Sequence, residues 1–267
     1  MDREKFCNVC ESPNELFGTG LVLNKYNVNF FRCPRCGFIQ TETPYWLDEA
    51  YATPIASSDI GYVSRNVGMA RVTRALISLA FDANKRFVDY GGGYGMFVRL
   101  MRDAGFDFWR YDRHCENLFA QGFDLNASSL AKNQTFELLT AFEVFEHLVD
   151  PRQELEQMLK LSPTIFFSTL ILPDPAPAIG SWWYYVLAHG QHIAFYTVRS
   201  LEVLAEKHNL KLCTNGQSLH LLSRAKISKF RFRVATTSPF VRLANVFLRK
   251  SSLLLEDCRD VTNLNIS

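Results

Sequence analysis

The sequence predicts an α/β fold: an open, mostly parallel sheet with an antiparallel hairpin at one edge, preceded by a small cysteine-rich module. Three observations predict it. Short apolar segments at 86–90, 106–112, 136–142 and 164–169 alternate with amphipathic helical segments. The first of these runs directly into a glycine cluster that opens a helix. Two C-x2-C pairs fall within the first 45 residues.

In chain order, residues 1–45 carry four of the seven cysteines and little with helical period. YWLDEAY (45–51) and YVSRNVGMARVTRALISLAF (62–81) read as helices, the second with a recurring apolar face. RFVDYGGGYG (86–95) reads as a buried strand ending in glycines, and MFVRLMRDAG (96–105) as a helix closed by a glycine cap. FDFWRYD, FELLTAF and TIFFST supply three more strands, with a helix from Pro151 between the last two. VRSLEVLAEKHN (198–209) is a further helix, and 211–214 with 218–223 form the edge hairpin around Gly216.

At 267 residues, 48% hydrophobic and 21% charged, the chain holds one large domain or a domain plus a small module. The net charge of +2 steers no partner by itself. The N-terminus lacks the apolar stretch of a secretory signal, and TIFFSTLIL stops at Pro173, well short of a membrane span. Paired cysteines without such a signal point to a reducing compartment, so the expected location is cytoplasmic.

The glycine loop carries the first chemistry. Asp89 ends a strand, and Gly91, Gly92, Gly93 and Gly95, with Tyr94 among them, precede the next helix. Such a turn brings a ligand against bare backbone at a helix N-terminus. Met96 stands where a dinucleotide fingerprint has its third glycine, and a carboxylate at Asp89 repels a pyrophosphate. The acid suits a cationic or amine-bearing ligand instead. Asp112 closes the next strand 23 residues later, where a carboxylate can accept both ribose hydroxyls.

With these motifs, FVDYGGGYG, RYD, FELLTAFEVFEHLVDP and QHIAFYT in order, the chain resembles the class I S-adenosylmethionine-dependent methyltransferases, above all the branch of glycan and lipid biosynthesis. The resemblance spans roughly 50–225 and implies a Rossmann-like methyltransferase sheet. It also implies that Asp89, the glycines, Phe142 and Glu143 seat S-adenosylmethionine and that Asp112 holds its ribose. Only 23 residues separate Asp112 from Phe136, so the adenine side is abbreviated, with Phe123 and Asp124 as candidates.

CNVC (7–10) and CPRC (33–36) make C-x2-C, 22 residues, C-x2-C. Cys7, Cys10, Cys33 and Cys36 are therefore expected to hold one structural zinc in a closed tetrahedral site. A zinc module of this kind also precedes certain sugar C-methyltransferases, which this chain resembles in that order. The expected organisation is a zinc ribbon at 1–45, a methyltransferase domain at 46–225 and a basic tail at 226–267. Cys115, just past Asp112, either lines the cofactor pocket or packs.

Glu143, Glu146 and His147 leave the third strand, and His189, Gln191 and His192 follow the fourth after a long loop. Ligands of open α/β sheets bind at those strand ends. The late loop of the sugar C-methyltransferases is similar, H-E-H-x-x-Y-F-S, and His192 matches its second histidine, the base, while Gln191 replaces the glutamate. This implies His192 as the acid–base residue, His147 assisting, and Glu143 and Glu146 ordering the pocket; His189 is expected to matter less. Without the glutamate, O-methylation stands beside C-methylation. Glu143, Glu146, His147 and His192 also resemble the divalent-cation site of small-RNA 3′-end methyltransferases, which implies an RNA substrate as the alternative. A non-catalytic binding scaffold is the rival from another class.

Trp182, Trp183, Tyr184, Gln191 and Tyr196 are candidate acceptor contacts, since four consecutive aromatics cannot all face one core. The expected acceptor is a carbohydrate, nucleotide-sugar or lipid-linked glycan. From Lys207 to Lys250 there are ten Lys/Arg and no Asp or Glu, and FVRLANVFLRKSSLLL (240–255) is amphipathic. Peripheral association with the inner face of the membrane is expected of that tail.

Overall fold

The computed structural model describes residues 3–52, 60–125, 135–247 and 250–264. Near the N-terminus, β1 (Glu15–Val22) and β2 (Tyr26–Arg32) pair antiparallel around a turn in which Leu23 and Asn24 are left-handed. Strand β3 (Ile39–Thr41) pairs with β2 and, on its other side, with the two-residue β8 (Ala194–Phe195). This gives a four-stranded sheet in the order β1-β2-β3-β8. Only the short helix α1 (Leu47–Ala50) represents the helix expected at 45–51.

The second sheet is built as the alternation of segments predicts. It contains β4 (Phe87–Tyr90), β5 (Phe108–Tyr111), β6 (Leu138–Ala141), β7 (Thr164–Ser168), β9 (Lys211–Thr214) and β10 (Leu219–Ser223). Their order is β5-β4-β6-β7-β10-β9. β4 runs parallel to both β5 and β6, and β9 with β10 forms the antiparallel edge. Every residue of β4, β6 and β7 is buried, as expected of strands covered on both faces. Helix α2 (Tyr62–Ala80) leads into β4, and α3 (Met96–Asp103), α4 (Pro151–Leu161) and α5 (Val198–Lys207) lie between later strands. Thr197 starts α5 with a capping box to Ser200.

The chain forms two compact units. One comprises residues 1–56, 143–157 and 167–224; the other 57–142, 158–166 and 225–267. The core of the first gathers Val22, Phe30, Ile39, Trp46, Tyr185 and Phe195.

The region expected as a basic tail is helical in the second unit: α6 (Lys229–Ala235), α7 (Ser238–Phe247) and α8 (Leu254–Leu264). The reason is visible in the spacing of its apolar residues. Phe232 and Ala235 of α6 are buried, and Val241 and Ala244 of α7 pack with Val72 and Ala75 of α2. Asp257 of α8 is buried and receives Arg99 at 2.8 Å and Arg102 at 2.6 Å, both on α3. No described helix is long and apolar enough to cross a membrane.

Candidate active site and candidate metal centre

The glycine loop lies at the C-terminal end of β4. Gly91, Gly93 and Gly95 all have positive φ, and Gly95 caps α3 in the left-handed region at φ +85°. A Cβ on Gly95 would lie 2.6 Å from Asn117 Oδ1. Gly95→Ala is therefore expected to destabilise the protein by about 1–3 kcal/mol, read as a lower Tm. An unchanged Tm would show that the loop does not need this conformation.

Beneath the loop, Asp89 is buried and accepts Thr140 Oγ1 at 2.6 Å. Burial pushes its carboxyl up to about 7, and the charge of Asp112 adds to the effect. A Cβ at Gly92 would sit 3.0 Å from Asp89 Oδ2, so the loop stays bare above the acid. Asp112 accepts three backbone N–H groups: Gly93 on Oδ2, and His114 and Cys115 on Oδ1, each at 2.8 Å. Both lone pairs of Oδ1 are thus in use, and Oδ2 keeps one for a ligand hydroxyl.

Sequence reasoning missed three residues here. Arg110, buried in β5, donates to the Gly93 carbonyl at 2.6 Å, to the Cys115 carbonyl and to Asp124. Thr140 anchors Asp89. The Tyr62 hydroxyl is 3.6 Å from where a Gly93 Cβ would be, and burial first, then the Asp89 charge, raises it to about 12. All three are ordinary residue types inside regular elements, and only the register of β4 with β5 and β6 reveals the first two.

The adenine candidates have structural partners. Asp124 pairs with Arg110 and Asn117, and Phe123 lies under the Arg102 guanidinium at 3.6 Å. Residues 126–134, in the abbreviated segment, lie outside the described residues. Phe142 packs edge-on against Phe97 and Phe166.

In the other unit, Glu146, His147 and His192 come together, with one ligand atom of each lying within 4.8 Å of the others. A short 3-10 turn (Phe145–His147) presents the first two, and β8 fixes the residue after the third: Ile193 donates to the Glu146 carbonyl at 2.9 Å. His192 Nδ1 is 2.8 Å from the Tyr184 carbonyl, and His147 Nδ1 is 3.0 Å from the Gln191 carbonyl. A carbonyl only accepts, so both Nδ1 atoms carry hydrogen and both Nε2 atoms keep a lone pair. Burial lowers His192 to about 3, helped by His147, and lowers His147 to about 4, so both are neutral at pH 7.

Glu146 is fully buried. Its Oε1 accepts Tyr184 at 2.6 Å, while its Oε2 has no partner. Burial, with the charge of Glu143 adding, raises the carboxyl to about 8. Glu143 stands apart from this trio: it is left-handed at φ +54° and its carboxylate accepts Ser168 Oγ at 2.6 Å.

The four N-terminal cysteines converge as the spacing predicts. All are buried and free, with their sulfurs mutually within 4.8 Å. Cys7 and Cys36 are 3.7 Å apart and Cys10 and Cys33 3.3 Å. A tetrahedral zinc site with bonds of about 2.3 Å places sulfurs about 3.8 Å apart, so the set fits zinc with no open position. Gly37, left-handed after the second pair, lets the Cys33 carbonyl accept its N–H at 2.9 Å. The Cys36 carbonyl accepts Thr197 Oγ1 at 2.6 Å.

A family model described as a methyltransferase domain matches residues 65–215. The chain belongs to this family. Among solved structures similar to this chain is CalO1, a methyltransferase in calicheamicin biosynthesis in its SAH-bound form. It is 16% identical over 66% of this chain and 60% of that one, with a TM-score of 0.45. TnmH is 15% identical over 68% of this chain and 62% of that one, at 0.47. The plantazolicin methyltransferase BpumL, in complex with SAH, is 14% identical over 67% and 93%, at 0.44. The chain thus spans about 60% of the length of CalO1 and TnmH. No curated protein matches it.

The aromatic candidates divide sharply. Tyr184 and Tyr185 are buried and Trp182 packs against both, so the segment is mostly core. Trp183 alone of the four is exposed, at 73%. Tyr196 is wholly buried, its hydroxyl donating to the Phe145 carbonyl at 3.0 Å, which leaves it no face for an acceptor. Gln191 donates to the Ala50 carbonyl at 2.8 Å. A two-residue strand and a 3-10 turn (Trp183–Tyr185) fold the loop onto the first sheet, so Trp182, Tyr184 and Tyr185 pack with its core.

Proposed function

We propose that this methyltransferase moves the methyl group of S-adenosylmethionine onto a hydroxyl of a carbohydrate acceptor. The observation that carries the cofactor assignment is the buried Asp89 beneath a bare, left-handed glycine loop in a chain of the methyltransferase family. Asp89 answers the cofactor's cationic side, the loop backbone admits it closely, and Asp112 offers the remaining lone pair of Oδ2 to the ribose. Transfer breaks the methyl–sulfur bond, whose electron pair stays on sulfur, and forms a methyl–oxygen bond. The displaced proton needs an acceptor, and the lone pair of His192 Nε2 supplies one.

Trp183, whose ring lies 5.4 Å from that of Tyr184, supports a sugar acceptor by offering an exposed face. The absence of a carboxylate at Gln191 supports oxygen over carbon as the methylated atom. Zinc at the four cysteines serves structure in this proposal.

Calorimetry with S-adenosylhomocysteine tests the cofactor half. Binding is expected to weaken as pH falls below about 7, because Asp89 takes up its proton there and loses the charge that holds the ligand's amine. Asp89→Asn should bind weakly with a flat profile, and Asp112→Ala should lose affinity at every pH. Binding that ignores both substitutions sinks the assignment. A labelled-methyl screen of nucleotide sugars, lipid-linked glycans and RNA tests the acceptor half.

One observation favours a second reading of the same histidines. The buried Glu146 Oε2 lacks a partner, and Glu146, His147 and His192 each offer a ligand atom within 4.8 Å of the others, a donor set suited to a divalent transition ion. In that reading Glu146, His147 and His192 would hold the ion, and the chemistry it would supply is Lewis-acid activation of an acceptor hydroxyl. Activity abolished by EDTA and restored by Mn²⁺ or Mg²⁺ selects this reading.

A further inference from the structure

We propose that the outward faces of α6 and α7 form a docking surface for an anionic lipid bilayer. Helix α7 is apolar on two opposite sides. Val241 and Ala244 are buried against α2, whereas Leu243, Val246 and Phe247, at i, i+3 and i+4, share the solvent side. Phe247 is 74% exposed, and Phe230 on α6 is 75% exposed. Phe230 projects from the side opposite the buried Phe232 and Ala235, between Lys229, Arg231 and Arg233, which are also exposed. Arg242 flanks the α7 stripe. A soluble surface rarely leaves large apolar side chains clustered on a helix face without a partner.

Charge decides the occupant. No Asp or Glu occurs from Lys207 through Leu255, so the only charged side chains that α6 and α7 themselves carry beside the apolar residues are basic. A second copy of the same face would bring like charges together. Nucleic acid would satisfy the bases and leave the phenylalanines and Leu243 unused. An anionic bilayer satisfies both, since the side chains enter the acyl boundary while Lys and Arg meet the headgroups. The α7 helix, at ten residues, is suited to lie on such a surface and too short to span it.

The inference is independent of the methyl acceptor: vesicle binding is measured without cofactor or substrate. The full-length protein would be sedimented with vesicles of phosphatidylcholine alone and with about 30% phosphatidylglycerol. Binding to the anionic vesicles is expected at least about tenfold tighter and weakened by salt. Phe230→Glu combined with Phe247→Glu should cut it by about tenfold or more while circular dichroism and Tm stay unchanged. If that variant misfolds, Phe247→Trp provides the second measurement, with emission blue-shifted by anionic vesicles. Three results would overturn the proposal: no binding to anionic vesicles; equal binding by wild type and the folded double variant, competed by RNA; or a dimer in ultracentrifugation that the double variant dissolves.

Discussion

His192→Ala is expected to lower kcat by about 10²–10⁴-fold and to leave the affinity for S-adenosylhomocysteine unchanged. The residue combines a fixed tautomer with an unused lone pair, and its Nδ1 is held by the Tyr184 carbonyl. Removing the ring deletes the proton acceptor and touches neither Asp89 nor Asp112. His147→Ala should cost less in the base reading, where it only neighbours His192 with ring centroids 4.9 Å apart. In the cation reading both substitutions should cost about the same, because each removes one of three ligands. Near-full turnover by His192→Ala on the true acceptor would make the residue packing.

Loss of a zinc ligand is expected to have the largest effect on stability. Structural zinc contributes about 10–16 kcal/mol in small modules, as much as the whole stability of a typical domain. Cys33→Ser should therefore purify without zinc, lose a thermal transition or become insoluble, whereas wild type and His192→Ala should carry about one zinc per chain by elemental analysis. A zinc-free wild type with the same Tm as Cys33→Ser would remove the metal from the account. Activity should fall with the metal, because β3, which follows Cys36 closely, pairs with β8 beside His192.

The major sheet was legible because its strands announce themselves. FVDY runs into glycines, and the segments around Leu138–Ala141 and Thr164–Ser168 are short, mostly apolar runs. The set of four cysteines was legible from spacing alone. Strands β1 and β2 were not, since Gly18 and Gly20 and a bulge between Leu16 and Gly18 break the alternation. Strand β8 is two residues long and invisible to any periodicity. The residues of the glycine loop could be named in advance, but Arg110 could not, because a buried arginine pinning backbone carbonyls looks like any strand arginine until its neighbours are known. At the other site the structure brings Glu146, His147 and His192 together, whereas Glu143 goes to Ser168 through a left-handed backbone that no sequence pattern reports.

The pairing of β3 with β8 also has a consequence for biosynthesis. Ile39 lies across from Phe195, so its partner leaves the ribosome about 150 residues later. At about 5–20 residues per second that delay is on the order of 10–30 s. For that interval one side of β3, with the wholly buried Ile39, Gln40 and Thr41, has no strand to receive it. An unpaired strand edge is a template for intermolecular association. The nascent N-terminal segment is thus exposed to intermolecular association until Phe195 is made, and the histidine site cannot assemble before the first two thirds of the chain have emerged.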